Sequence, residues 1–399
     1  MNIGILLGRG IEGCGITRFT IEMIDAIDED HGYLCYAVDD KHWTRRNAHD
    51  LEDAITSVEF EHATHAAHVI EAMKQMDVVI VNSLPAKDAS DAVKSNWNWV
   101  IDSIGCPIVL IQHDHSMISI KRNACLDETI VAADLIMCHS QRSPFAEYAM
   151  RKIRDGVAVE AFQPGMNFNK LTDEFYERAM HKDLYRQHWI GRTTSWKGYD
   201  YFFNLDAMLK TVSTEKWLML MEGIERGIAF TGFKKLGEFD DYSAPRYRAP
   251  IYKHDFDLEL YGGKIQVYGP YIRDEMLRRM AQSGFGHQLS GLKPRYIQRS
   301  LEYTHLEIVC CGTIPVFRQS YGELCRHRTR DIPLIECEDN GTIWLDSTED
   351  SMESVIDEMT SLIKDEAAYD AQAKEAHSFY EQHQGPQVFD DIIEKIKEI

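Results

Sequence analysis

The sequence lacks long hydrophobic runs and paired cysteines. No window approaches the roughly 20 apolar residues that a membrane-spanning helix needs, and the N-terminal MNIGILLGRG is too short in apolar residues for a signal peptide. The nine cysteines form no C-x-x-C pair, which argues against a zinc site or a disulfide framework. Several of them, such as Cys35, Cys106 and Cys138, lie in apolar runs typical of a core. These absences predict a protein of the reducing cytoplasm.

Positive charge is also scarce. Lysine and arginine total 43 against 64 aspartates and glutamates, so the formal net charge is -21 at pH 7. A protein that binds nucleic-acid phosphates over its whole surface should be basic, because its affinity comes largely from counterion release. The overall charge therefore argues against a nucleic-acid partner, unless basic residues cluster on one face.

The remaining composition is that of an ordinary soluble globular protein. The chain has 399 residues, of which 44% are hydrophobic, 10% aromatic and 27% charged. That length predicts two or three domains with a large core that needs no disulfides. The sequence shows no internal repeat and no low-complexity segment.

Short apolar runs alternate with helical patterns over the first 155 residues, which predicts βαβ units and a parallel sheet. A charged segment, 160–186, is expected to connect this part to a second alternating unit, and the C-terminal residues favour helix with a break at Gly385–Pro386. The predicted fold class is therefore α/β with two Rossmann-like domains. The predicted strands are Asn2–Leu7, Tyr33–Val38, Val78–Asn82, Pro107–Gln112, Asp134–His139, Trp189–Arg192, Trp217–Glu222, Gln266–Tyr268, Gly286–Leu289, Thr313–Phe317 and Thr342–Leu345. The predicted helices lie near 16–28, 64–75, 90–104, 142–153, 198–211, 272–283, 300–311 and 350–364.

A glycine-rich loop, 8–17, follows the first predicted strand and opens a helix. Glycines let the backbone approach a phosphate or sugar closely, and a helix start favours anions. The glycine spacing departs from the dinucleotide fingerprint, and Asp39 and Asp40 only approximate its acidic residue. The loop is thus a weak signal for nicotinamide binding, since glycine turns are common in Rossmann units of any function.

Three titratable residues, His113, Asp114 and His115, follow the strand Pro107–Gln112. Open α/β sheets bind ligands at the carboxyl ends of their strands. A histidine there can bond a sugar hydroxyl, and an aspartate can stabilise positive charge. A metal site and purely structural hydrogen bonds are the alternatives.

Two cations and one helix-borne carboxylate in the second half point to a nucleotide diphosphate. Arg192 ends a predicted strand and Lys197 opens a helix, where two cations and free amides can hold a diphosphate. Surface ion pairing is the alternative, although cations at a helix N-terminus oppose its macrodipole. Glu307 lies on a helix that is expected to end at Gly312, and its two oxygens could accept bonds from a ribose diol. An ordinary ion pair is the alternative for Glu307.

Taken together, these segments resemble the DNA α-glucosyltransferases of T-even bacteriophages. The similar blocks run in order through the chain, which diverges only at 155–186 and 232–262. They are GRGIEGCGITRF (8–19), IQHDHS (111–116), KRN (121–123), CHS (138–140), WIGRTTSWKG (189–198), MEGIERGIAF (221–230), SGFGHQLS (283–290) and RSLEYTHLEIVCCGTIPVF (299–317).

The resemblance implies a GT-B fold, with a cleft between two Rossmann-like domains and C-terminal helices that cross back. It implies a DNA-binding acceptor domain at 1–165, a UDP-sugar-binding domain at 186–375 and a helical segment at 376–399. The implied activity is retaining transfer of glucose from UDP-glucose to 5-hydroxymethylcytosine in double-stranded phage DNA. That modification would protect the DNA from restriction, in the cytoplasm of the infected bacterial host. We expect a monomer with no membrane partner.

The resemblance also implies a role for each candidate residue. His113 and Asp114 would be catalytic, flanking the transferred sugar. Gly13 and Gly15 would line the reaction crevice. Arg192 and Lys197 would hold the diphosphate, and Glu307 the ribose. Many retaining GT-B enzymes carry a sugar-binding glutamate eight positions before the ribose glutamate; here Arg299 stands there, and Glu302 is the nearest carboxylate. No metal or other cofactor is required, because protein cations stabilise the departing diphosphate, although stimulation by a divalent metal stays open.

DNA binding would depend on basic loops near the His113–Asp114 strand end. The candidates Lys41, Arg45, Arg46, Lys121 and Arg122 follow two predicted strands of one sheet. They could supply the local positive patch that the overall charge lacks, or they could be solvated loop cations. A target cytosine inside a duplex would have to be extruded to reach a deep crevice.

Four alternatives remain open from the sequence. The enzyme could use another UDP-sugar such as UDP-arabinose, because few residues contact the sugar. It could act on a small-molecule or glycan acceptor, which its acidic charge permits. It could be a binding module without turnover. A nicotinamide oxidoreductase is the weakest alternative, since the first loop lacks its fingerprint.

Overall fold

The computed structural model describes residues 1–8, 15–27, 31–38, 55–113, 123–139, 141, 143–168, 182–189, 225–227, 266–268, 277, 280–288, 303–318, 340–345 and 349–399. The described residues form two compact units. Unit 1 combines Met1–Asn167 with the C-terminal Gln384–Ile399, and the described residues of unit 2 lie within Phe168–Leu324 and Ile335–His383. In that described part of the chain, no helix is both long and apolar enough to cross a membrane.

Unit 1 is built on a seven-stranded sheet, counted over its described strands. The neighbouring strands are parallel and follow the order β3-β2-β1-β4-β5-β6-β7. Strands β1, β4, β5 and β6 are almost wholly buried, as expected for a sheet covered on both faces. The strands are β1 (Asn2–Leu7), β2 (Gly32–Val38), β3 (Thr56–Val58), β4 (Val78–Ser83), β5 (Ile108–Gln112), β6 (Leu135–Cys138) and β7 (Ala158–Ala161).

Helices follow most of these strands, and local capping fixes where two of them begin. The hydroxyl of Ser90 accepts from the Val93 amide at 3.2 Å, and that of Ser143 accepts from the Ala146 amide at 3.0 Å. Pro144 occupies the first turn after Ser143, where its missing N–H costs nothing. The helices of unit 1 are α1 (Gly15–Ile27), α2 (Ala63–Met73), α3 (Asp91–Ser103), α4 (Leu126–Ala132), α5 (Pro144–Met150) and, from the C-terminus, α9 (Gln387–Lys397).

The strand order reverses between β1 and β4. The chain runs outward from β1 through β2 to β3, then returns to β4 on the other side of β1. The Gly8 amide donates to the Ser83 carbonyl at 2.9 Å, which joins the carboxyl ends of β1 and β4. A Cβ on Gly8 would lie 2.4 Å from the Leu84 carbonyl carbon, so only glycine allows the two backbones to approach this closely.

Unit 2 contains a four-stranded parallel sheet, again counted over described strands, in the order β13-β12-β11-β8, and a separate parallel pair, β10-β9. Helices pack on this sheet, and the Tyr369 hydroxyl on one of them donates to the Gly284 carbonyl at 2.6 Å. The strands are β8 (Asp183–Trp189), β9 (Glu225–Gly227), β10 (Gln266–Tyr268), β11 (Ser283–Gln288), β12 (Ile314–Arg318) and β13 (Ile343–Leu345). The helices are α6 (Tyr303–Cys310), α7 (Glu349–Lys364) and α8 (Glu366–Gln384).

Helix α6 ends as the sequence predicts, at a glycine. Gly312 adopts φ +62°, its amide donates to Val309 at 2.9 Å, and the Thr313 amide donates to Ile308 at 3.4 Å. This pair of bonds is a Schellman motif, which satisfies the last carbonyls of a helix. The chain then enters β12 directly.

The structure confirms the α/β fold and corrects several predicted elements. Strand β8 spans Asp183–Trp189, so it begins inside the segment predicted as a connector and shares only Trp189 with the predicted strand Trp189–Arg192, the rest of which lies outside the described residues. Ser283 begins β11 and does not end a helix. The sequence missed β3, α4, β7 and β9, which have at most seven residues each. The predicted strand Trp217–Glu222 and helix 198–211 lie outside the described residues.

Candidate functional site

The candidate site of unit 1 lies at the carboxyl ends of three neighbouring strands. Gly8 follows β1, Ser83 ends β4, and His113 follows β5. These strands flank the point where the strand order reverses, and open α/β sheets bind their ligands at such a point. Gly15 begins α1, so the glycine-rich loop leads from this strand edge into that helix.

A series of hydrogen bonds anchors the His113 imidazole to buried residues of β4 and α1. His113 Nε2 lies 2.7 Å from Asn82 Oδ1 on β4. Asn82 Nδ2 donates to Thr20 Oγ1 on α1 at 2.6 Å, and Thr20 Oγ1 donates to the Ile16 carbonyl at 3.0 Å. Asn82 and Thr20 are both fully buried. The imidazole is therefore tied to two elements other than its own strand.

Three aromatic rings pack against His113. The ring centroids of Phe19, Phe162 and His139 lie 4.8, 5.4 and 5.5 Å from that of His113, all in edge-to-face geometry. Phe19 in turn packs against Phe389 of α9 at 5.4 Å, so the C-terminal helix supports the site. The residue as a whole is partly buried, and burial lowers the pKa of His113 to about 3. His113 is consequently neutral at physiological pH.

The free energy of unfolding is expected to fall as the pH drops below about 6.5. Burial lowers the pKa of both His113 and His287 to about 3, whereas the unfolded chain titrates near 6.5. Below pH 6.5 the unfolded chain therefore binds protons that the folded chain does not bind. This contribution to stability is complete above pH 6.5 and is lost progressively toward about pH 3. Urea unfolding between about pH 5 and 7 would measure the slope, at most about 1.4 kcal/mol per pH unit for each histidine.

The matched control for that pH dependence is His113→Phe. It keeps an aromatic ring between Phe19 and Phe162 but removes the titrating group. Its stability should change less steeply with pH than that of the wild type, whatever its stability at pH 7. Equal slopes for the two proteins would contradict the buried, neutral state of His113.

Unit 2 places Glu307 on α6, where it is buried with only 7% of its surface exposed. Helix α6 packs tightly on the sheet: a Cβ on Gly286 of β11 would lie 2.6 Å from Ile308 Cγ2. His287 lies one residue before the end of β11 and is also buried. The structure therefore confirms the helix that carries Glu307 and ends at Gly312, while the role of Glu307 as a ribose ligand stays a prediction.

The other predicted site residues lie outside the described part of the chain. These are Gly13, Asp114, Arg192, Lys197, Glu302, Lys41, Arg45, Arg46, Lys121 and Arg122. Among the residues that the structure does describe, no group of three histidine, cysteine, aspartate or glutamate side chains is placed to hold a metal ion. The sequence also missed Thr20, Asn82 and His139, since single polar residues in apolar segments carry no distinctive pattern.

The chain is similar to DNA alpha-glucosyltransferases in both sequence and fold. The family model described as DNA alpha-glucosyltransferase matches residues 14–367. The DNA alpha-glucosyltransferase of Enterobacteria phage T4 is 36% identical over 403 residues, covering 96% of both chains. An alpha-glucosyltransferase solved in complex with UDP and a 13-mer DNA containing an HMU base gives a TM-score of 0.82 at 31% identity, covering 100% of this chain and 99% of that one. An alpha-glucosyltransferase in complex with UDP-glucose and DNA containing an abasic site gives 0.80 at 32% identity, with the same coverage.

Proposed function

The chain belongs to the DNA alpha-glucosyltransferase family, and we propose that it transfers glucose from UDP-glucose to 5-hydroxymethylcytosine in double-stranded DNA. Family membership makes it a UDP-sugar-dependent glycosyltransferase of the GT-B fold. The observation that carries the proposal is the position of His113, which Asn82 holds at the strand ends where the strand order reverses. We propose further that the enzyme retains the anomeric configuration and acts in the cytoplasm of the infected bacterial host, where the sugar protects phage DNA from restriction.

His113 and the adjacent Asp114 are the proposed catalytic residues. A neutral imidazole can bond a sugar hydroxyl without adding positive charge beside the reacting carbon. The carboxylate of Asp114 would stabilise the cationic sugar that forms as the bond to the diphosphate breaks. Gly15 begins α1 next to this strand edge, and with Gly13 it would let the backbone approach the sugar closely.

The donor nucleotide is the proposed ligand of the second half of the chain. Glu307 would accept two hydrogen bonds from the ribose diol of UDP, which a carboxylate suits. Arg192 and Lys197 would neutralise the diphosphate as it leaves, which makes a metal ion unnecessary for that step. Glu302 is the proposed sugar contact in place of the glutamate that many GT-B enzymes carry at the position of Arg299.

The DNA is proposed to bind at the basic loops that carry Lys41, Arg45, Arg46, Lys121 and Arg122. A protein with a net charge of -21 repels DNA over most of its surface, so contact should be confined to this local patch. The target base would be extruded from the duplex to reach the site, at a cost of a few kcal/mol. The acidic remainder of the surface would speed release of the product DNA.

The experiment that tests the proposed function compares acceptors. The protein is incubated with UDP-glucose and one of three duplexes, containing cytosine, 5-methylcytosine or 5-hydroxymethylcytosine at the same positions, and UDP release is followed over time. Release only with the hydroxymethylated duplex supports the proposal. Parallel reactions replace the duplex with a glycan or a small alcohol, and release there, but with none of the duplexes, would overturn the DNA acceptor.

Replacing Glu307 with alanine is expected to weaken UDP binding by about tenfold to a hundredfold. The change removes the charged acceptor of the ribose hydroxyls, and the stated factor corresponds to a net loss of about 1.5–3 kcal/mol, the contribution of one hydrogen bond to a charged group. Isothermal titration with UDP and with 2′-deoxy-UDP measures the effect. The wild type should already bind the deoxy ligand more weakly, and the variant should bind both ligands alike. A variant that still prefers UDP would show that Glu307 does not bind the ribose.

A further inference from the structure

We propose that Thr20 and Asn82 are positioning residues that fix the tautomer of His113 and thereby decide whether the ring nitrogen that faces the donor sugar accepts or donates a hydrogen bond. The proposal rests on the proposed function, in which His113 bonds a hydroxyl of the transferred sugar. Neither residue is itself expected to touch the substrate, since both are fully buried. They act through the imidazole.

The direction of each hydrogen bond follows from the Ile16 carbonyl oxygen, at which this series of bonds ends. The carbonyl of Ile16 can only accept, so the Thr20 hydroxyl, 3.0 Å away, donates to it. The same oxygen therefore accepts from Asn82 Nδ2 at 2.6 Å. With its amide turned this way, Asn82 presents Oδ1 to His113 Nε2 at 2.7 Å. Because Oδ1 cannot donate, Nε2 carries the hydrogen, and Nδ1 of the neutral ring keeps its lone pair.

Reversal of the Asn82 amide is costly in this setting. Its NH₂ group would then face His113, and the Thr20 hydroxyl would have to turn from Ile16 to the amide oxygen. This series would then contain two side-chain hydrogen bonds instead of three, in a region closed to water. Buried polar groups that lose a partner cost about 1–3 kcal/mol. The observed orientation, and with it the Nε2–H tautomer, is therefore favoured by the fold.

The tautomer has a consequence for donor choice. Nδ1 with a lone pair accepts a hydrogen bond from a sugar hydroxyl, but it cannot donate one. The site therefore selects a donor sugar that offers an O–H at that point, and the 6-hydroxyl of a hexose is such a group. A pentose lacks it and would leave the acceptor unpaired. In this way two buried residues outside the substrate contact favour a sugar hydroxyl over a group that can only accept, such as a carboxylate.

Thr20→Val tests the proposal, because valine keeps the shape of threonine and removes the hydroxyl. The Asn82 amide is then free to turn, so the Nδ1–H tautomer of His113 should become populated. Thr20→Ser restores the hydroxyl and should restore the wild-type tautomer. Long-range 1H–15N spectra of protein labelled at the histidine rings distinguish the two tautomers in the free enzyme. Steady-state rates with UDP-glucose and hydroxymethylated duplex then measure kcat and KM.

Thr129 offers a matched control in the same unit. Its hydroxyl donates to the carbonyl four residues earlier, Cys125, at 2.7 Å and accepts from Trp97 Nε1 at 3.4 Å, and the residue is fully buried. Thr129→Val therefore removes the same kind of helix-anchored bond on α4, without any contact to His113. It should lower stability much as Thr20→Val does, but leave the His113 tautomer and the transfer rate unchanged.

The expected result is a loss of kcat/KM of about tenfold in Thr20→Val, as for one hydrogen bond, which disappears in a His113→Ala background. The inference is overturned if wild-type His113 carries its hydrogen on Nδ1, if Thr20→Val leaves the tautomer unchanged, or if the loss persists without His113. A wild type that transfers no glucose at all would instead overturn the proposed function, and with it any role of the tautomer in transfer. The spectra of the free protein separate these two failures.

Discussion

Replacing Asp114 with alanine is expected to lower kcat by about 100- to 1,000-fold while UDP still binds as in the wild type. Removal of one preorganised charge that stabilises a transition state typically costs this much. Asp114 directly follows His113, whose backbone leaves the end of β5 and whose ring is fixed by Asn82. The charge is needed only when the sugar becomes cationic, so ground-state binding of the nucleotide should not change. Single-turnover rates and titration with UDP measure the two quantities.

The control for Asp114→Ala is Asp102→Ala, an exposed aspartate on α3 in the same unit. It removes the same charge from the surface and should leave turnover unchanged. Parallel losses of turnover and UDP affinity in Asp114→Ala would indicate disrupted folding or nucleotide binding. Unchanged turnover would exclude Asp114 from catalysis, and a binding module without turnover would show no rate in any variant.

Replacing Gly8 with alanine is expected to destabilise unit 1 by about 1–3 kcal/mol, as overpacking generally does. The added Cβ would lie 2.4 Å from both the carbonyl carbon of Leu84 and the nitrogen of Pro85. Both are backbone atoms and cannot move aside as a flexible side chain can. The strand end must shift, and with it the start of the glycine-rich loop. A displacement of about 1 Å at a reactive site can cost 100-fold in rate, so transfer should fall by about that factor.

Gly105→Ala provides the comparison for Gly8. A Cβ on Gly105 would meet nothing within 4 Å, so this variant should stay within about 0.5 kcal/mol of the wild type and keep full activity. Urea unfolding and transfer rates, measured for both variants in parallel, test whether only the Gly8 variant loses stability and activity. Equal stability of the two variants would show that the β1–β4 junction is more compliant than its geometry implies.

Much of the fold follows from the sequence where strands are apolar and buried. The run VVIVN is typical of a covered parallel strand, and the structure confirms it as β4. The prediction failed at β8, DLYRQHW, because four of its seven residues are charged or strongly polar, as in a connector. Such a segment becomes a strand because it forms hydrogen bonds to a neighbouring strand, and its local sequence pattern does not predict that pairing. Short strands such as β3, with three residues, fail for the same reason.

The candidate site could likewise be predicted only in part. His113 could be found because three titratable residues end an apolar strand, and open sheets bind ligands there. Its supports could not be found, since Thr20 and Asn82 lie 62 positions apart and meet only when α1 packs on β4. The neutral state of the imidazole also depends on Phe19 and Phe162, which come from other elements. Reactive residues at strand ends can thus be predicted from sequence, whereas the residues that set their protonation and orientation are brought together only by the tertiary structure.

The most direct test of the central claim is mass spectrometry of nucleosides from hydroxymethylated duplex DNA that was incubated with the protein and an equal mixture of UDP-glucose and UDP-arabinose. We predict that the modified nucleoside is hydroxymethylcytosine carrying a hexose, with the pentose product minor or absent. A dominant pentose product would keep the enzyme class and the acceptor but contradict the donor and the role given to His113. An unmodified duplex, with UDP still bound by the protein, would contradict DNA glucosylation itself.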